Sequence, residues 1–265
     1  MKIIAIDVGN SYSKIMINNK IYVLNYDDNF GNELRKVLTV KDIKCESSMN
    51  KIIISSVNTA QMEKINFIFD ELKIKYENAN DYLHFQKIID FSEISGMGND
   101  RKLGLIGATN FAKPPFITVD CGTAITVNIV DKNLKCLGGI IFPGLNTQAK
   151  SLKTFTSQLP QIDINSQIFS NKKNIFSAGK NTIDAITAGI LSSTFGGIIH
   201  FISSTVEENS LSNVSIIFTG GNGDLMYKIC SDYFSKNKNK SFISDINIAP
   251  NLVFEGIIKL YRTTQ

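Results

Sequence analysis

Two stretches of this sequence set an aspartate and a glycine at the end of an apolar run: "IIAIDVGNSYSKI", Ile3 to Ile15, and "ITVDCGTAITVNIVD", Ile117 to Asp131. A carboxylate in a run that otherwise reads as buried strand is costly unless something uses it. A D-x-G turn between two strands supplies a use. Glycine permits positive φ and close approach of the backbone, while turn amides and nearby hydroxyls are anion donors. An aspartate aimed at the same spot repels an anion unless a cation lies between. The pattern therefore predicts a phosphate with a bound cation, such as Mg2+ with waters retained. In the first copy Asn10, Ser11 and Ser13 add polar donors and Lys14 a positive charge; in the second, Thr123 and Thr126 supply hydroxyls.

A third stretch, "SGMGNDRKLGLIGA" from Ser95 to Ala108, lies between them. Gly96 and Gly98 make a flexible approach to a helix start, where donors gather. Asp100 and Arg101 stand side by side there. Such a pair suits a carboxylate base next to an arginine that holds a substrate carboxylate. The plainer alternative is a helix-capping aspartate with a surface arginine.

The elements that must carry these residues follow from the repeat. "IAIDVGNS" aligns with "ITVDCGTA", Ile4 with Ile117, Asp7 with Asp120 and Gly9 with Gly122. So wide an offset is too long for a solenoid repeat and predicts two related domains. "IIISSVN", Ile52 to Asn58, and "SIIFTGGN", Ser215 to Asn222, echo each other in the same way. The first half reads as strands near 2–7, 12–18, 20–25, 51–55 and 73–76, with helices at 30–40, 59–72 and 99–112. Pro114 and Pro115 must end the last of these, and the domain boundary is placed there, giving 1–115 and 116–265. The second half reads as strands at 116–120, 124–131 and 134–141, the latter two joined by the turn "DKN". "FPGL" breaks the strand, 160–178 is a polar excursion, and a glycine-rich helix begins near Asn181. A strand-helix unit at 214–234 and a closing helix at 251–261 complete it. Strands and helices alternating twice argue for an α/β protein.

Composition narrows the partners. With 43% apolar and 20% charged residues the chain is globular. A net charge of +4 leaves no compact basic stripe, and "SKNKNK", Ser235 to Lys240, reads as a solvated loop before a strand, so no nucleic acid is expected. Cys45, Cys121, Cys136 and Cys230 are scattered and form no CxxC pair. Structural zinc is not expected, and free thiols fit a reducing cytoplasm. The apolar run of "MKIIAIDVG" stops at Asp7, too short for a signal peptide. Ala185 to Ile202 approaches the length of a membrane span, but three glycines, hydroxyl residues and a histidine dilute it. The expectation is a helix buried on most sides of a soluble domain, with no membrane. His84 is expected at the surface or in a cap, and His200 as a packed helix residue.

The ordered set "DVGNSYSK", "GNDR", "DCGTAIT", "GGIIFPG" and "NTIDAITAG" closely resembles the type III pantothenate kinases, from Ile3 to about Gly221. The resemblance implies an actin-like (ribonuclease H-like) fold of two similar domains around a nucleotide cleft. It implies ATP-dependent phosphorylation of pantothenate to 4′-phosphopantothenate, the first step of coenzyme A biosynthesis, by a cytoplasmic homodimer with Mg2+ and K+ or NH4+. Asp7, Val8, Gly9, Asn10, Ser11, Tyr12, Ser13 and Lys14 would form the first phosphate loop around ATP, and Thr123 would contact ATP as well. Gly98, Asn99, Asp100 and Arg101 would contact pantothenate, with Asp100 as proton acceptor and Arg101 toward the carboxylate. Phe91 and Thr182 would line the substrate pocket, and Asp120 would take the monovalent-cation position. "TGGN", Thr219 to Asn222, resembles the nucleoside-side loop of the superfamily. Phe91 and Ile94 stand where many members carry tyrosine and proline, and Asn128 where an aspartate is usual. The same fold could also belong to a regulator without catalysis or to another small-molecule kinase.

Overall fold

The computed structural model describes residues 2–40, 50–166, 176–236 and 242–264. Cys45, Lys238 and Lys240 of the basic run, and the middle of the expected polar excursion lie outside these residues. The chain divides into two compact units, Met1–Phe111 with Asn251–Gln265, and Ala112–Pro250.

The first unit opens with β1 (Lys2–Val8), β2 (Tyr12–Ile17) and β3 (Lys20–Asn25), followed by α1 (Phe30–Val40), β4 (Asn50–Ser56) and α2 (Thr59–Glu71). A short β5 (Glu77–Asn78), α3 (Ala79–Phe85) and α4 (Asn99–Ala108) complete its first pass. The sheet order is β3-β2-β1-β4-β5. β1 runs antiparallel to β2 and parallel to β4. Successive side chains of a strand face opposite sides. Ile4, Ile6 and Val8 thus enter a core with Leu34 and Leu38 of α1 and Ile65 and Phe69 of α2. Asp7 is left on the other face, where Lys14 and Ser55 are its cross-strand partners. No strand forms at 73–76, where one was expected; the two-residue β5 lies just beyond, and α3, which carries no clear apolar period, was not foreseen.

The second unit repeats the plan. Its strands are β6 (Phe116–Cys121), β7 (Ala124–Val130), β8 (Cys136–Pro143), β9 (Val214–Thr219) and β10 (Ile243–Ile248), in the order β10-β9-β6-β7-β8. Its helices are α5 (Leu145–Phe155), α6 (Thr182–Glu208) and α7 (Gly223–Lys236). Ile117, Val119 and Cys121 pack with Ile198 and Ile202 of α6 and with Met226 of α7. Asp120 again falls on the opposite face, between Thr126 and Thr219. α6 departs from the expectation of burial on most sides. It is long and apolar enough to cross a membrane, the one such helix among the described residues, and 44% of that apolar window is buried. Ala185, Gly189, Ser192, Gly196 and His200 are exposed along one face. The exposed face is made of small, hydroxyl and imidazole residues while the apolar ones lie on the buried side, and His200 is exposed rather than packed.

The final helix, α8 (Leu252–Thr263), returns to the first unit, so the second unit ends at Pro250 rather than at the chain's end. The reason is close packing on α4. A Cβ at Gly107 would lie 2.0 Å from the Leu252 carbonyl oxygen, and one at Gly256 2.0 Å from that of Leu103. Only paired glycines let two helix backbones approach so closely. Asn110 Nδ2 donates to Glu255 Oε2 at 3.0 Å, and Lys259 Nζ to Thr109 Oγ1 at 2.6 Å.

Candidate active site

The first D-x-G loop is closed by the Gly9 N–H, which donates to the Tyr12 carbonyl at 3.2 Å. Asn10 and Ser11 lie exposed at its tip, and the Lys14 ammonium stands 5.4 Å from the centre of the Tyr12 ring. The loop is held from outside the motif. Tyr26 Oη donates to the Gly9 carbonyl at 2.8 Å and lies 2.9 Å from Ser13 Oγ. A phenol has one proton to give, so the Ser13 hydroxyl donates to Tyr26. Burial pushes the Tyr26 phenol up, the Ser13 hydroxyl pulls it partly back, and the negative charge of Asp7 adds to the rise. Asn58, the N-cap of α2, accepts from the Gln61 N–H at 3.1 Å and reaches the Gly9 carbonyl with Nδ2 at 3.5 Å.

The first turn of α4 gathers Gly98, Asn99, Asp100 and Arg101, with Gly98 as N-cap. Asp100 Oδ1 accepts from the Arg101 N–H at 2.8 Å. A Cβ at residue 98 would lie 2.6 Å from that oxygen, so glycine makes room for the carboxylate to fold back. One oxygen of Asp100 is thus engaged by the backbone of its own turn, while the N-cap Gly98 has no side-chain cap hydrogen bond. Asn99 Nδ2 donates to Asn80 Oδ1 of α3 at 2.5 Å, and Lys102 Nζ stands 5.7 Å from the centre of the Phe91 ring. Phe91 and the G-N-D-R turn are thus joined through one residue.

In the second unit the D-x-G-T loop lies against two helix N-termini. The Gly122 N–H donates to Ala124 at 3.1 Å, and the Thr123 carbonyl receives the Gly144 N–H at 2.9 Å and Thr147 Oγ1 at 2.6 Å. Gly144 is the N-cap of α5, and a Cβ there would fall 2.1 Å from the Gly122 carbonyl oxygen. On the other side the Asn222 N–H, just before α7, donates to the Cys121 carbonyl at 2.9 Å. Gly220, at φ +87°, crosses so near that a Cβ would lie 2.3 Å from Asp120 Oδ1. Helix N-termini carry partial positive charge and unpaired N–H groups. Two of them beside one loop suit a phosphate. Asn128 is buried, with Nδ2 3.5 Å from Thr118 Oγ1 and 3.4 Å from Thr126 Oγ1. That row of the sheet therefore offers hydroxyls and an amide, with Asp120 as its carboxylate. Thr182, first residue of α6, is exposed, and no hydrogen bond joins it to this loop among the described residues. Burial, with Asp120 adjacent, pushes the Cys121 thiol well above its usual range, and burial raises Cys230 to about 12.

The donor sets fit a nucleotide better than a protein-held metal. No group of three His, Cys, Asp or Glu side chains among the described residues could hold an ion. A divalent ion held chiefly by phosphates and water needs only one or two carboxylates, and each D-x-G loop carries one, Asp7 in the first unit and, separately, Asp120 in the second. Several residues of these loops were not foreseen. Tyr26 and Thr147 lie outside the repeated motif, and no spacing in the sequence marks them. Ser55 sits in the recognised "IIISSVN" echo, where the register with Asp7 is what gives it meaning.

A family model described as type III pantothenate kinase matches residues 3–204. A type III pantothenate kinase of Sulfurihydrogenibium sp. (strain YO3AOP1) is 31% identical over 238 residues, covering 84% of this chain and 90% of the relative. A crystal structure from Campylobacter jejuni, of a conserved protein ascribed to the Baf family of transcriptional activators, is 21% identical with a TM-score of 0.61 and covers 98% of both chains. The activator of the 2-hydroxyisocaproyl-CoA dehydratase from Clostridium difficile, solved with bound ADPNP, is 13% identical with a TM-score of 0.51, covering 100% of this chain and 97% of that one. At such identities the two structures speak for the fold alone, an α/β fold of two units, each a mixed sheet with helices.

Proposed function

The chain belongs to the type III pantothenate kinase family, and on that premise we propose how its residues carry the reaction. It phosphorylates pantothenate with ATP to give 4′-phosphopantothenate, the first step of coenzyme A biosynthesis. The observation that carries the assignment to these residues is the duplicated loop. In both units a D-x-G aspartate ends the central strand, flanked on the parallel neighbour by a hydroxyl residue, Ser55 or Thr219.

The roles follow from the chemistry. Phosphoryl transfer demands positioning and charge neutralisation more than covalent assistance from the protein. Residues Asp7 to Lys14 embrace the ATP phosphates, with loop-tip amides as donors and Lys14 as the local positive charge. Thr123 and the N-termini of α5 and α7 hold phosphate from the second unit. Mg2+, when bound, would neutralise phosphate charge, and Asp7 is the carboxylate that the first unit would offer it. Phe91, Gly98, Asn99, Arg101 and Thr182 hold pantothenate, with Arg101 on its carboxylate. Asp100 accepts the proton of the primary hydroxyl as that oxygen bonds to the γ-phosphorus and ADP departs. Asp120 with the Thr126 and Thr219 hydroxyls forms the seat of K+ or NH4+. The working enzyme is a cytoplasmic homodimer that engages neither nucleic acid nor membrane.

Release of ADP tests the reading. With Mg2+ and K+ present, ADP should appear only when pantothenate is added, and replacing K+ by Na+ should slow it. ADP release at the same rate without pantothenate would contradict the assignment.

A further inference from the structure

Among the described residues, two buried side-chain polar atoms have no hydrogen-bond partner, Ser55 Oγ and Gln61 Oε1. Ser55 is 0% exposed. An unmade hydrogen bond in such a place is destabilising, and its persistence calls for a reason. Register supplies one. Ser55 is the direct partner of Asp7 across β1 and β4, so both side chains stand on the face away from the Ile6–Ile54 core. The second unit repeats the pair, with Thr219 of β9 opposite Asp120 of β6. Both hydroxyl residues occupy the equivalent position of the equivalent parallel strand, one beside each D-x-G aspartate. Gln61 lies on the first turn of α2, whose cap Asn58 reaches Gly9 of the same loop.

We propose that Ser55 is a ligand-binding residue of the first phosphate loop, its hydroxyl held unpaired for a phosphate oxygen of the nucleotide or a water of the bound cation beside Asp7. This rests on the kinase reading only for the identity of the nucleotide. The hydroxyl is a cost to the empty protein and a contact in the loaded one. Removing it should move stability and binding in opposite senses, which no purely structural role does.

The test is Ser55→Ala, with Ser55→Cys as a variant of similar size and weaker hydrogen bonding. Two quantities are read: the thermal midpoint without ligand, and the Kd of Mg2+–ATP by calorimetry, neither of which involves pantothenate or turnover. Both variants should keep or raise the midpoint and weaken Mg2+–ATP binding about threefold to tenfold. Titration with Mg2+ at fixed ATP should show the same loss. A midpoint that falls in both variants, or a Kd within twofold of wild type in both, would overturn the proposal. If wild type binds Mg2+–ATP but phosphorylates no pantothenate, the substrate assignment fails while the role of Ser55 stands.

Discussion

Asp7 and Asp120 are each left on one face of a sheet by strand alternation, with their apolar neighbours on the other. What makes the surrounding loops usable is a set of side chains outside the motif that fix their carbonyls. Tyr26 does this for Gly9, and Thr147 for Thr123. Tyr26→Phe removes a single hydroxyl, leaving the Gly9 carbonyl and the Ser13 hydroxyl without that partner. A hydrogen bond of this kind is worth about 0.5–1.5 kcal/mol. KM for ATP should therefore rise about threefold to tenfold, while KM for pantothenate stays within twofold. Equal changes in both constants, or none, would show that Tyr26 does not position the loop. The phenol itself stays protonated through the neutral range, since burial and Asp7 raise its pKa. Its donor role is therefore lost only in strongly alkaline solution.

At the scale of elements, the pairing of α4 with α8 positions the start of α4, where Asp100 and Arg101 stand. Gly107 and Gly256 set the separation of the two helices. Gly256→Ala forces a methyl onto the Leu103 carbonyl, and overpacking of this kind costs about 1–3 kcal/mol. The thermal midpoint should fall, and turnover with it, because the displaced helix carries Asp100, the proposed proton acceptor. An unchanged midpoint would mean the helices separate without cost. Strand and helix existence was legible where periodicity was strong, as in β1, β2, β6, β7 and α2. The closing helix was legible too, but its destination was not. Nothing in "NLVFEGIIKLY" says that Gly256 meets Gly107 of a distant helix rather than the adjacent second unit. α3 was missed for a different reason, and β10 was expected only as an unbounded strand after the basic run. "ISDINI" is broken by Asp245, and "ANDYLHF" is too short for helical periodicity to show.

At the scale of the whole molecule, the duplication read from two short motifs extends to the complete strand order, β3-β2-β1-β4-β5 matched by β8-β7-β6-β9-β10. The candidate loops were legible because D-x-G survives in both copies. The hydroxyls beside each aspartate were not, because Ser55 and Thr219 acquire their meaning from strand register. The family match over residues 3–204 turns this architecture into a specific reaction. Its central claim is that pantothenate is phosphorylated with Asp100 as proton acceptor. Mass spectrometry of wild type and Asp100→Asn, each given ATP, pantothenate, Mg2+ and K+, tests it most directly. The account predicts 4′-phosphopantothenate from wild type and essentially none from Asp100→Asn, with Mg2+–ATP affinity nearly unchanged in the variant. No product from wild type, or full product from Asp100→Asn, would contradict it.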